Sequence, residues 1–137
     1  MLQSLSFNIL AVIAGIVINM VIGALWYSPV LFGNIWLGLT GRKSEDITRE
    51  DGNKSMAFAI IPAAVAAFAL ALLTAVSGAS TVADALILGS LSSLAFSGMS
   101  ALNLVLFENR PLKLAVLNTA YFFVSWNIVS IVLTLWK

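Results

Sequence analysis

Cysteine and histidine are both missing from this chain of 137 residues. Their absence removes disulfides, thiol nucleophiles, imidazole acid–base catalysis and the usual ligands of zinc, haem and iron–sulfur clusters. No metal and no cofactor is expected on this inventory. Charge is scarce as well: seven basic and six acidic side chains leave a formal net charge of +1. That balance gives no electrostatic footprint for nucleic acid. What fills the chain instead is apolar, at 61% of residues, against about 45–50% in soluble domains. A water-soluble fold of this size could not hide so much apolar surface, so the bilayer is the expected solvent.

Four apolar segments stand out, at about residues 7–27, 56–76, 85–107 and 112–136, and none contains a charged residue apart from Lys113 at the start of the last. Each has about the 20 residues a helix needs to cross a hydrocarbon core. Lipid offers backbone polar groups no partners, so helices are expected, and the segments are too long for barrel strands. The expected fold is therefore an all-α integral membrane protein, one transmembrane domain over residues 1–137. It is a four-helix transmembrane bundle with a short interfacial helix after the first span. The opening "MLQSLSFNILAVIAG" has no Lys/Arg region before its apolar run and no evident small-x-small cleavage site, so it reads as a retained span rather than a signal peptide.

The connections support this layout. Gly78 is a candidate C-cap for the second span, and Thr81 with Asp84 three residues on has capping-box spacing for the third. Asp84 reads as a cap before it reads as a catalytic group. Pro111 suits the first turn of the fourth span. Arg42, Lys43, Arg49 and Lys54 lie in the first loop, Arg110 and Lys113 at the third, and none in the second. The positive-inside rule then puts loops one and three in the cytoplasm and both termini outside.

Small residues recur at four-residue spacing: Gly15, Asn19 and Gly23 on the first span, and Ala85, Gly89, Ser93, Ser97 and Ala101 on the third. The second span carries a run of alanines at the same spacing, from Ala59 to Ala79. Such faces let helix backbones approach closely in lipid, within one chain or between chains, and they motivate an expected homo-oligomer. Pro62 should bend the second span, either as a gate or as a bend that neighbouring helices accommodate.

The polar residues at membrane depth are the best functional lead. Asn19 lies about 12 Å inward from Tyr27, Asn103 about 6 Å from Phe107 and Asn118 about 9 Å from Leu112. Three helices thus place an asparagine in the same half of the bilayer, with Tyr121, Ser97 and Ser100 within reach. Two accounts fit them: interhelical hydrogen bonding as glue, or a polar cavity open to the cytoplasm that takes a ligand. Trp126 and Asn127 sit near the middle of the fourth span, where the indole either finds a partner or faces lipid.

The first loop begins with the interfacial segment 29–39, read as a helix capped by Ser28 and led by Pro29, followed by the polar cytoplasmic loop 40–54 with Ser44 as a candidate cap. Trp26, Tyr27, Pro29, Phe32 and Trp36, with Trp136 at the far end, are candidate interface anchors. The run Asn19-x3-Gly23-x2-Trp26-Tyr27-Ser28-Pro29-x2-Phe32-Gly33-x2-Trp36 resembles the signature of the bacterial family known as domain of unknown function 1761. The four segments and the Asn118-x2-Tyr121 pair are similar too. The resemblance implies a small inner-membrane protein of unassigned activity and carries over no catalytic residue.

The expected function is a non-enzymatic, self-associating bundle in the lipid bilayer. A channel or carrier for a small uncharged or weakly polar solute is the alternative. A lipid-binding or accessory subunit, touching a lipid or another small molecule through its interfacial segment, is a third reading.

Overall fold

The computed structural model describes residues 5–137; residues 1–4, the start of the stretch weighed against a signal peptide, lie outside the described residues. The described chain is helical with no strand. Asn8 opens α1 (Ile9–Trp26) by accepting the Leu10 N–H at 2.9 Å. α2 (Gly33–Thr40) and α3 (Arg49–Phe58) follow, and α4 (Ile60–Ser77) continues on from α3. α5 (Val82–Ser92) passes through a π-helical segment, Ser93–Gly98, into α6 (Met99–Glu108), and α7 (Leu112–Leu135) closes the chain. Four of these stretches, Ile9–Trp26, Arg49–Ser77, Val82–Glu108 and Leu112–Leu135, are long and apolar enough to cross a membrane.

The bundle is built inside out relative to a soluble one. Ile13, Val17, Val21 and Leu25 form an exposed stripe along α1, and Leu86, Ile87 and Leu91 do the same on α5. The interior holds Ala67, Ala71 and Ala85 beside buried Asn19, Thr74, Ser93, Ser125, Asn127 and Ser130. Where the surroundings are as apolar as leucine, close packing and hydrogen bonds hold helices together, and small and polar side chains supply both. α7 lies at the centre and packs against α1, α2, α4, α5 and α6.

Glycines and alanines set the crossings. A Cβ on Gly89 would lie 2.7 Å from the Asn127 Cα, so α5 and α7 meet backbone to backbone. A Cβ on Gly15 would stand 3.0 Å from the Val129 side chain and 3.3 Å from that of Ala67, which joins α1 to α7 and α4. Ser93 is buried and Ala101 half-buried on the same chain of helix. Gly15, Gly89 and Ser93 thus pack helices within one chain.

Both caps of the turn between α4 and α5 form as the spacing suggests. Gly78 takes φ +69°, and Thr81 and Asp84 make the reciprocal capping box. Pro62 acts upstream of itself: it cannot donate to the Phe58 carbonyl, and the helix is interrupted at Ala59, between α3 and α4.

The first loop departs from expectation in three places. Residues 29–39 do not form one helix capped by Ser28. Ser28 Oγ donates back to the Leu25 carbonyl at 2.7 Å, and residues 27–32 turn so that the Leu31 and Gly33 N–H groups both donate to the Ser28 carbonyl. The interfacial helix therefore starts at Gly33, four residues past Pro29. The loop 40–54 is half helical, because Thr48 accepts the Asp51 N–H at 3.1 Å and starts α3 at Arg49. Ser44 caps nothing with its side chain; it begins a single 3₁₀ turn, Ser44–Asp46.

Candidate functional site

The corner after α1 is fixed by backbone geometry. A Cβ on Gly33 would lie 2.5 Å from the Tyr27 carbonyl oxygen, so the chain can fold back here only through glycine. The return brings Trp26 onto Phe32, with ring centroids 4.6 Å apart, and Tyr27 onto Trp36 at 5.9 Å. Both tyrosines then meet: Tyr27 lies 5.5 Å from Tyr121, and Tyr121 leads through Phe122 to Trp126 along α7. Trp26 and Tyr121 also approach, at 6.4 Å, and the buried Trp26 indole N–H has no hydrogen-bond partner.

Beneath these rings three helices are tied by one polar node. Asn19 is 2% exposed and donates through Nδ2 to the Ala63 carbonyl at 3.4 Å, joining α1 to α4. Ser125 Oγ donates to Asn19 Oδ1, joining α7. Tyr121 Oη donates to the Asn19 carbonyl at 3.1 Å, and Tyr27 Oη to Asn118 Oδ1 at 2.8 Å. Gly23 makes room for this, since a Cβ there would stand 3.2 Å from Tyr121 Oη.

A cavity of about 660 Å³ lies beside the node, within the roughly 300–1,000 Å³ usual for ligand sites. Met20, Gly23 and Ala24 of α1, Pro62, Ala63 and Ala66 of α4, and Tyr121, Phe122 and Trp126 of α7 wall it. Asn19 borders it at depth, and Trp36, Arg42, Ile47 and Ser55 border it on the side of the first loop. Asn19, Tyr27 and Tyr121 in its lining are already hydrogen-bonded within the protein, and most of the other side chains that wall it are apolar. Past Asn19 the bundle is filled by a core of Ala11, Val12, Ala67, Leu70, Ala71, Val129 and Leu133. A separate hollow of about 180 Å³, bordered by Asn8, Thr74, Leu133 and Lys137, lies at the opposite end.

The sequence-predicted site residues divide. Tyr121 is hydrogen-bonded to Asn19, and Asn118 joins them through Tyr27, which donates to it and packs against the Tyr121 ring. Asn103 and Ser100 are exposed and Ser97 half-buried on α5–α6, and none of them lines the cavity. Equal depth did not bring them in, because α6 and the π-helical segment Ser93–Gly98 pack against α7, whereas the cavity lies among α1, α4 and α7. Of the anchors, Trp36 and Tyr27 border the cavity, Pro29 is exposed in the turn, and Trp136 is 46% exposed at the far end.

Sequence reasoning missed three partners. Ser125 is four residues after Tyr121 and seven after Asn118, so a heptad count along α7 would have found it. Ser90, whose Oγ lies 3.2 Å from Asn127 Oδ1, marks a second polar node that also includes the Phe123 carbonyl. The role of Arg42 and the α4 alanines depends on the corner, which no local pattern announces.

These features define a class: a helical bundle with four stretches long and apolar enough to cross a membrane, and an apolar cavity under an aromatic corner. The chain belongs to the family described as Protein of unknown function (DUF1761), which matches residues 10–134. No curated protein and no solved structure matches it.

Proposed function

We propose that this is a multi-pass protein of the bacterial inner membrane that binds a lipid-like small molecule in the cavity under the corner, and that it acts by binding and not as an enzyme. The observation that carries the reading is the cavity itself: about 660 Å³, walled by small and aromatic side chains, with the polar groups at its depth already paired. A site meant for a small polar solute would offer free donors and acceptors. This one offers apolar contact, which favours the lipid-binding reading over the conduit. The filled core past Asn19 also favours a pocket over a passage. The reading places loops one and three in the cytoplasm, on the distribution of lysine and arginine, and both termini outside. It needs no homo-oligomer, since Gly15, Gly23 and Gly89 are engaged within one chain.

The test is binding of an uncharged long-chain probe. Native mass spectrometry of the full chain with hexadecanol should show one saturable adduct. Ala66→Phe, which fills the cavity from α4, should remove it while leaving thermal melting in detergent close to wild type. Non-saturable adducts, or equal adducts on the filled variant, would end this reading.

A further inference from the structure

The mouth of the cavity carries one charge. Arg42 is the single ionisable cation among its lining residues, and no carboxylate lines it. Its backbone is held by the end of α2: Gly41 takes φ +70°, its N–H donates to the Gly38 carbonyl at 3.4 Å, and the Arg42 N–H donates to that of Leu37 at 3.0 Å. This paired pattern is a Schellman cap, so the residue after the glycine has a set direction. The guanidinium then lies 6.0 Å from the Trp36 ring centroid, over a side chain that also borders the cavity.

Its lack of an anionic partner is the second observation. The first loop contains Glu45, Asp46, Glu50 and Asp51, all exposed. None stands within ion-pair distance of Arg42; among the described residues the one salt bridge is Arg110 with Glu108, at 3.1 Å. Asp51 is turned to its own helix start, 2.6 Å from Thr48 Oγ1. Arg42 is itself exposed, so a planar, permanently charged fork stands at the opening of an apolar hole with no ion pair or side-chain hydrogen bond among the described residues.

We infer that the occupant is a single-chain amphiphile with an anionic head: its carboxylate or phosphate pairs with Arg42 at the mouth, and its chain lies along Met20, Ala63, Ala66, Phe122 and Trp126. This rests on the proposed binding function and specifies its ligand class. Charge complementarity selects the head, since an arginine fork matches a carboxylate or phosphate in two parallel hydrogen bonds. The apolar walls select the tail. A purely cationic head would place positive charge against Arg42.

Palmitate and hexadecanol have the same chain and differ in charge, so the pair separates head from tail. In titrations of the full chain, palmitate should bind about tenfold more tightly than hexadecanol, the scale of a hydrogen bond to a charged group. Arg42→Gln should bring palmitate to the affinity of the alcohol and leave the alcohol unchanged. Lys43→Gln, next in sequence but not at the cavity, should alter neither. Hexadecyl phosphate should follow palmitate in each arm, while inorganic phosphate alone should not compete. Equal affinity for palmitate and hexadecanol on the wild type would overturn the anionic head and leave the cavity reading standing. Binding of neither probe would overturn both. Filling variants on opposite walls, Ala66→Phe and Ala24→Phe, should each abolish both adducts, and a folded variant that still binds both would overturn the placement of the tail.

Discussion

Two asparagines in the middle of this bundle live in different surroundings. Asn19 on α1 and Asn127 on α7 are both buried, at 2% and 6% exposure, and both are hydrogen-bonded to a main-chain carbonyl and a serine. Around Asn127 the helices touch backbone to backbone through Gly89, and no space remains. Around Asn19, Gly23 of the same helix and Ala63 and Ala66 of α4 face aromatic residues of α7, and a cavity opens beside the amide. The same chemistry therefore serves a dry crossing in one place and the wall of a pocket in the other. What separates them is whether a small residue faces a backbone or faces the edge of a ring.

Substitutions that break this contrast should rank by how much space each site has to give. The largest effect belongs to Gly89→Leu, which drives a side chain into the Asn127 backbone and should cost about 3 kcal/mol or abolish the fold, read as thermal melting in detergent. Asn19→Leu comes next. It strands the Ser125 hydroxyl and one link to α4, and a loss of about 1–2 kcal/mol in the same assay is expected. Tyr27→Phe removes only the bond to Asn118 and should cost about 0.6 kcal/mol. Ala66→Phe should have the smallest effect on melting, within about 0.5 kcal/mol, because the added ring enters an existing space. If Ala66→Phe proved as damaging as Gly89→Leu, the contrast between an open and a closed node would not hold.

Much of this architecture was legible beforehand because it depends on local rules. The apolar segments located the four long helices, and Gly78, Thr81 and Asp84 located a turn whose caps form as their spacing requires. The Trp-Tyr-Ser-Pro run ends the first span as expected, and a corner follows it. Its details were not legible, since the position of α2 depends on main-chain bonds from residues 31 and 33 to the Ser28 carbonyl. Counting depth along helices united Asn19, Asn118 and Tyr121 but also added Asn103, Ser97 and Ser100, which do not line the cavity. Depth is a one-dimensional quantity, and it does not say which side of α7 a helix packs against. A polar cavity is one of the two accounts the asparagines allow, but its apolar lining was not legible, because it is made where α1, α4 and α7 cross.

The orientation expected from the basic loops can be checked independently. A reporter fused after Lys137 should read as outside, and one inserted at Gly52 as cytoplasmic; the reverse pattern would put the cavity mouth on the other face of the membrane.

The absence of cysteine allows the central claim to be tested directly. Ala66→Cys places a thiol in the cavity wall, and Ala85→Cys places one at a fully buried position away from it. With N-ethylmaleimide on the full chain, the Ala66→Cys protein should label readily and be protected by added palmitate, while the Ala85→Cys protein stays unlabelled with or without it. Labelling of Ala66→Cys that is as slow as that of Ala85→Cys, or that palmitate leaves unchanged, would contradict a ligand cavity beneath the corner.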